Sequence, residues 1–379
     1  MQHNAKPILM GLEEEVFVTE PVLPSLSSLY YLARLLWRNP AYYYTHSASN
    51  FARGRDLRQA VMSGIEVSTG VHSSVDSLME DLSARRRELA SVTDGLILPI
   101  GHLFDLEAPT NTCGLHIHIG PVPERETERI YSNLAHFLPL LALLTVSSPL
   151  ARGRYFGQSF RIAKSYAIGP LRKEDKRYRF QDMIISRRLG TIELRIFDPV
   201  WDLERIRVLI KCIEAILRTD RRFDWNEDSY RHCRRVAAEA GYNGNGPGHE
   251  RDAAHASDRD PGQQHDPGRA PDQDMIMLSS LYSELSEFCD VDERLFRHTA
   301  SDELYEFWKA HGTLKTYIAI DNAYRNGVFG LDKAALPEAE RRLARLEPGQ
   351  RVLRAASGLL FYYAVKLPYI ILKGLKEQS

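Results

Sequence analysis

Four short segments of the sequence each divide acidic or basic side chains from apolar ones with a period of two. In an extended strand residues i, i+2 and i+4 share a face. Ile8–Thr19 places Glu13 and Glu15 together, with Leu12, Val16 and Val18 opposite and Glu14 as a misfit among those apolar residues. Gly64–Thr69 pairs Glu66 with Ser68, and Gly114–Gly120 pairs His116 with His118 against Leu115, Ile117 and Ile119. Thr191–Phe197 places Glu193 beside Arg195, with Ile192, Leu194 and Ile196 behind them. Any one segment is explained as a half-exposed strand with solvated charges. If all four are neighbours, one polar face carries Glu13, Glu15, Glu66, Glu193, His116, His118 and Arg195. Carboxylates packed so closely stay ionised only beside cations. Magnesium or manganese is the matching cation, bound by carboxylate oxygens and an occasional imidazole. With an arginine added, such a basin suits a metal-bridged polyphosphate.

The elements that must hold these residues can be read from the remaining pattern. Apolar residues at helical spacing predict helices over Ser25–Arg38, Val75–Thr93, Glu124–Thr145 and Leu203–Arg218. In the last, Leu203, Ile206, Ile210, Ile213 and Leu217 form one stripe behind Asp202, a candidate N-cap. Met277–Phe288, Asp302–His311 and Arg351–Leu375 are also expected to be helical. Residues 243–275 separate the two sets. From Asn243 to Asp274 no Ile, Leu, Val, Phe, Tyr, Trp or Met occurs, so the stretch cannot offset its chain entropy by burial and reads as a disordered linker or loop. Its His249, His255 and His265 match no compact metal spacing. The expected organisation is a catalytic α+β core over residues 1–242, that linker, and a helical C-terminal part over 276–379.

Composition excludes several classes. With 49 Lys and Arg against 50 Asp and Glu, the net charge of −1 points to neither nucleic acid nor an anionic surface as a global partner. Cys113, Cys212, Cys233 and Cys289 contain no CxxC pair, which argues against a disulfide framework or structural zinc. Cys113 adjoins the histidine motif and invites a nucleophile reading, but a small buried core residue is the simpler one. The apolar runs Phe137–Val146 and Leu359–Leu372 fall short of the ~20 residues that a membrane span needs. Met1–Lys6 lacks the apolar stretch of a signal peptide, and a cytoplasmic protein is expected.

Gly11-Leu12-Glu13-Glu14-Glu15, Ile65-Glu66-Val67-Ser68-Thr69, Gly114-Leu115-His116-Ile117-His118-Ile119-Gly120 and Gly190-Thr191-Ile192-Glu193-Leu194-Arg195 resemble, in order and separation, the motifs of one family. It is the second glutamate–cysteine ligase family, the YbdK-like carboxylate–amine ligases, related in fold to glutamine synthetase. Ser148-Pro149 and Asp198 also match, and the resemblance covers roughly residues 8 to 220. It implies an α+β fold with a curved antiparallel sheet of about six strands backed by helices. It further implies ATP and Mg²⁺ or Mn²⁺ on the concave face. Carried over by position, Glu13, Glu15, Glu66, His116 and Glu193 would be metal ligands, and His116 could bind phosphate instead. Glu193 and Arg195 would be catalytic, while His118 would line the site as a hydrogen-bond donor. The implied reaction phosphorylates a carboxylate, which an amine then attacks to form an amide. Small-molecule substrates, an amino acid among them, and a homo-oligomer would fit.

The departures from the family pattern concern what is joined. A further acidic residue is replaced by Met62, for which Asp56 could substitute, and a Thr-His-Pro turn is reduced to Gly101-His102-Leu103. The stretch Arg152–Arg188 is short, leaving Arg161, Arg179, Arg187 and Arg188 as candidates for phosphate or carboxylate; Arg161 and Arg187 are taken as cofactor contacts. Two other readings stand beside the ligase. One is a zinc hydrolase built on His116 and His118 with Glu13, Glu15 or His102. The other is a non-catalytic nucleotide-binding subunit of a biosynthetic assembly.

Overall fold

The longest alternating segment becomes the strand around which the fold is built. A computed structural model describes residues 8–25, 27–40, 48–49, 64–107, 112–164, 181–186, 190–242, 271–327, 330–331, 343 and 348–378. β1 (Leu9–Thr19) is followed by α1 (Ser28–Arg38), β2 (Ala48–Ser49), β3 (Gly64–Ser68), α2 (Val75–Val92), β4 (Leu96–Leu98) and β5 (Leu115–Gly120). Next come α3 (Glu124–Ala142), the small hairpin β6 (Leu150–Ala151) and β7 (Arg154–Tyr155), α4 (Phe160–Lys164), β8 (Met183–Ser186) and β9 (Thr191–Leu194). The chain continues through α5 (Leu203–Arg218), α6 (Glu227–Glu239), α7 (Pro271–Ser286), α8 (Arg294–Arg297), α9 (Ala300–Asn326), α10 (Pro348–Phe361) and α11 (Leu367–Gln378).

The main sheet runs β2-β3-β1-β5-β9-β8, with β4 added to β1. Every pairing in it is antiparallel. β1 is long enough to serve several partners: β3 lies along one edge, and β5 then β4 along the other. The six-strand path is the α+β sheet that the sequence implied.

Alternation decides what packs where. Leu12, Leu115, Ile117, Ile119, Ile192 and Leu194 enter one core with α3, α5 and α9, while Val16, Val18, Ile65 and Val67 meet α1 and the end of α2 in a second. The stripe on α5 is buried at Ile206, Ile210, Ile213 and Leu217, and the Asp202 carboxylate caps the helix by accepting from the Glu204 and Arg205 amides. All four cysteines are buried and none is in a disulfide, and Cys113 is a core residue.

Three helices differ from the sequence reading. The one expected to stop at His311 does leave helical geometry there, at Gly312 with φ 76°, but it starts earlier, at a capping box of Thr299 and Asp302, and a second helical segment that the sequence reading did not anticipate continues to Asn326. The C-terminal helix is broken by a π-turn at Tyr362–Lys366, directly before Pro368. Proline lacks the amide that an α-helix interior requires, and the widened turn accommodates it. α7 begins at Pro271, so the last residues of the stretch read as a linker are helical, and residues 243–270 lie outside the described part. Among the described residues no helix is long and apolar enough to cross a membrane.

Candidate functional site

The register across the central strands gathers most of the polar residues singled out above. Glu13 lies opposite His116 on β5 and Ser68 on β3, and Gly11 lies opposite His118. His118 in turn faces Glu193 on β9. The strand period of two puts these side chains on one side of the sheet, and the pairing brings three ligand atoms, from Glu13, His118 and Glu193, within 4.8 Å of one another. His116 forms the floor beneath them, 3% exposed, with Nδ1 3.6 Å from Glu13 and 3.7 Å from Glu193. The His118 Nε2 is 3.3 Å from Glu13 Oε2. Arg195, two residues along β9, donates from Nη1 to Glu193.

The electrostatics follow from this crowding. Burial alone would raise the Glu13 carboxyl, but the imidazoles of His116 and His118 beside it outweigh burial and hold it well below the usual range. Burial, reinforced by the Arg195 charge, lowers His116 and keeps it neutral. His118 is shifted the other way: burial opposes its charge, yet Glu13 and Glu193 together raise its pKa. Both ring nitrogens of His116 and the Nε2 of His118 are shielded and have no hydrogen-bond partner. Orphaned imidazole nitrogens aimed at ionised carboxylates are what a divalent cation satisfies, so the donor set fits one ion held by Glu13, His118 and Glu193.

The two other carboxylates occupy the next register step. Glu15 faces Glu66 across β1 and β3, is almost wholly buried, and accepts a 2.8 Å hydrogen bond from the Gly114 amide. Gly114 has no alternative here, since an added Cβ would lie 2.5 Å from the Arg161 guanidinium and 2.9 Å from His116. The structure therefore brings Glu13, His116, His118, Glu193 and Arg195 into one cluster, with Glu15 and Glu66 along its β3 side.

Some assignments change. His118, expected only to line the site, offers the ring nitrogen in the three-donor cluster from the rim, with His116 beneath it beside the same two carboxylates. Arg161, expected to contact nucleotide, is buried; it donates to the Ile196 and Arg195 carbonyls at 2.7 and 2.8 Å and sits 3.5 Å from Asp198. Its role is to hold the end of β9. Arg187, with Arg179, Arg188, Asp56 and Met62, lies outside the described residues. His102 is not part of the metal-spaced group; burial pushes it down to about 4 and it packs on Phe160.

The supporting residues escaped the sequence reading. Asp198 Oδ2 accepts from the Ser147 amide and from the Ser148 and Ser159 hydroxyls, at 3.0, 2.8 and 2.8 Å. Ser148 and Asp198 were visible as matching motif positions, but fifty residues apart nothing marked them as partners. Gly101 permits the arrangement, for a Cβ there would meet the Asp198 carboxyl at 2.5 Å. Asp182 anchors β9 from the other side: its carbonyl receives the Arg195 amide at 2.7 Å while its carboxylate binds Tyr230 and Arg234.

The molecule is thus an antiparallel sheet backed by helices that presents a carboxylate–imidazole cluster with an adjacent arginine on one face. A glutamate–cysteine ligase from Francisella tularensis, solved in complex with AMP, has the same fold, with a TM-score of 0.51 at 14% identity over 95% of this chain and 98% of that one. A Rhodococcus jostii protein assigned by name as glutamate–cysteine ligase 2-1 is 30% identical over 123 residues, 25% of this chain and 33% of the relative. A glutamate–cysteine ligase 2, so assigned, from Rhodospirillum rubrum is 28% identical over 222 residues, 45% of this chain and 57% of its own length. The matches thus span a third to just over half of these relatives. No protein-family profile matches the chain. Over part of its length the chain is thus similar to proteins assigned by name as glutamate–cysteine ligase 2, and it shares the fold of a solved glutamate–cysteine ligase.

Proposed function

We propose that the protein is an ATP- and magnesium-dependent carboxylate–amine ligase that forms an amide through an acyl phosphate, with an amino acid as one substrate. The observation that carries this reading is the Glu13–His118–Glu193 cluster with Arg195 at its edge. Glu13, His118 and Glu193 would hold the cation, with Glu15 and Glu66 extending the acidic lining toward β3. A bound divalent cation would neutralise polyphosphate charge.

The chain's own groups do the rest by position. Arg195 carries a fixed positive charge at the rim and would stabilise the phosphoryl group as it leaves ADP for the substrate carboxylate oxygen. In the second half, the amine nitrogen bonds to the acyl carbon, the carbon–oxygen bond to phosphate breaks, and the amine gives up a proton. Arg161, Asp198 and Asp182 keep the backbone from 195 to 198 still while charge develops beside it. Catalysis in such a site rests mainly on preorganised charge.

The test is phosphate release from ATP with Mg²⁺ across a panel of amino acids and amines. Release should require both a carboxylate and an amine. Release indifferent to any added carboxylate, or stoichiometric zinc in protein purified without added metal, would overturn the ligase reading.

A further inference from the structure

The C-terminal helical rod carries a feature that the ligase site does not use. α10, the π-turn and α11 run from Pro348 to Gln378, about 45 Å at 1.5 Å per residue. One side packs on the body: Gly358 lies so close to α1 that a Cβ would stand 2.7 Å from the Tyr30 amide nitrogen, Phe361 and Tyr362 join the second core, and Arg354 pairs with Asp94 at 3.1 Å. The other side is bare. Val352, Leu353, Leu359, Leu360, Tyr363, Val365, Ile371, Leu372 and Leu375 are all exposed, Leu360 by 71%. Among the described side chains from Val352 to Leu375, no exposed one is charged. At roughly 100 Å² of apolar surface each, the nine amount to about 900 Å², above the ~300–600 Å² of an ordinary monomer's largest apolar patch.

Charge says what covers this face. Apart from Arg354, which Asp94 neutralises, the rod contains Arg351, Lys366, Lys373 and Lys376 against Glu377 alone, in a chain whose overall balance is −1. A second copy laid on the same face would bring the same cationic excess against this one. An anionic lipid surface neutralises it, and the exposed apolar side chains sink into the acyl boundary. Trp37, on the helix that α10 packs against, is 89% exposed, and tryptophan favours the membrane–water boundary. We infer that the rod is an interfacial helix that lays the protein on an anionic membrane surface without crossing it. α1 and α10 pack behind Val16 and Val18, which point to the opposite side of β1 from Glu13, so docking leaves the carboxylate cluster open.

The full chain is sedimented with vesicles of phosphatidylcholine mixed with phosphatidylglycerol, and with phosphatidylcholine alone. Most of the protein should pellet with the mixed vesicles, little with the neutral ones, and the binding should weaken in about 0.5 M salt as screening shortens the reach of the charges. Leu360→Glu with Leu372→Glu should abolish pelleting; both side chains are exposed, so melting temperature and circular dichroism should be unchanged. Lys373→Gln with Lys376→Gln provides a second variant that leaves the apolar face intact, and should weaken binding to mixed vesicles roughly thirty-fold. No pelleting with mixed vesicles at low salt, or pelleting undiminished in the glutamate pair, overturns the inference. So does a dimer by analytical ultracentrifugation that the glutamate pair dissociates while vesicles fail to bind, for the face would then belong to a second copy.

Discussion

The polar face of β1 and its back neutralise carboxylates in different ways, although Glu13, Glu14 and Glu15 are consecutive. Glu13 keeps its charge beside two imidazoles and a second carboxylate, an arrangement open at the rim. Glu14 is fully buried and is matched by Arg86, which grips both its oxygens and also donates to the Val200 and Trp201 carbonyls at 2.7 Å. Tyr324 adds a hydroxyl donor and lends its ring to the guanidinium at 4.8 Å. At the back the buried charges are paired; at the front the buried His116 and His118 ring nitrogens have no hydrogen-bond partner. A structural ion pair satisfies every atom it buries, whereas a binding site leaves atoms unsatisfied until its ligand arrives.

Mutations should separate the two faces. Arg86→Met leaves Glu14 buried without its partner and should cost about 3–5 kcal/mol of stability, read by chemical denaturation. A loss below 1 kcal/mol would mean that the pair is solvated and the back not closed. Glu193→Gln should lower phosphate release by about a hundred- to a thousandfold, the scale of a lost charge-stabilising group, with an unchanged melting temperature. Near-normal turnover in that folded variant would remove Glu193 from the proposed metal set.

ATP at roughly a hundred times its Kd should add about 2.7 kcal/mol of stability, and only with Mg²⁺ or Mn²⁺ present. Glu13→Gln and Glu66→Gln should shrink that gain, while Glu14→Gln lowers the baseline and leaves the gain intact. If Glu14→Gln alone abolished it, the two faces of β1 would be functionally exchanged.

A subtler difference lies between the two histidines. In metal-free protein, NMR titration should find His118 protonated to above pH 6.5 and His116 neutral down to lower pH. The raised His118 contributes stability that is full below about pH 6.5 and fades as pH rises through its folded pKa. Titration of both rings together near their ordinary value would show that Glu13 and Glu193 do not converge on His118. The smallest effect expected is from deleting residues 243–270 and closing the gap with a short Gly/Ser loop, about 0.6 kcal/mol or less by loop entropy; a large fall in melting temperature would show that this apolar-poor stretch packs on the core.

Much of the site was legible because a strand has a fixed period. Once Glu13, His116, His118 and Glu193 fall on alternate positions of segments with apolar opposite faces, burying those faces leaves the polar ones together. Helix positions were legible for the same reason, at a period of 3.6. Periodicity says nothing about depth or partner, so the sequence alone could not rank His118 above His116, or reveal that Arg161 turns inward to backbone carbonyls. Nor could it show that Glu14, a misfit by pattern, meets Arg86 from seventy-two residues away. Those outcomes depend on which elements stack over a strand, and tertiary packing decides that. The C-terminal rod makes the same division: its amphipathic spacing is written in the sequence, but only the structure shows that one face covers α1 and the other is left bare.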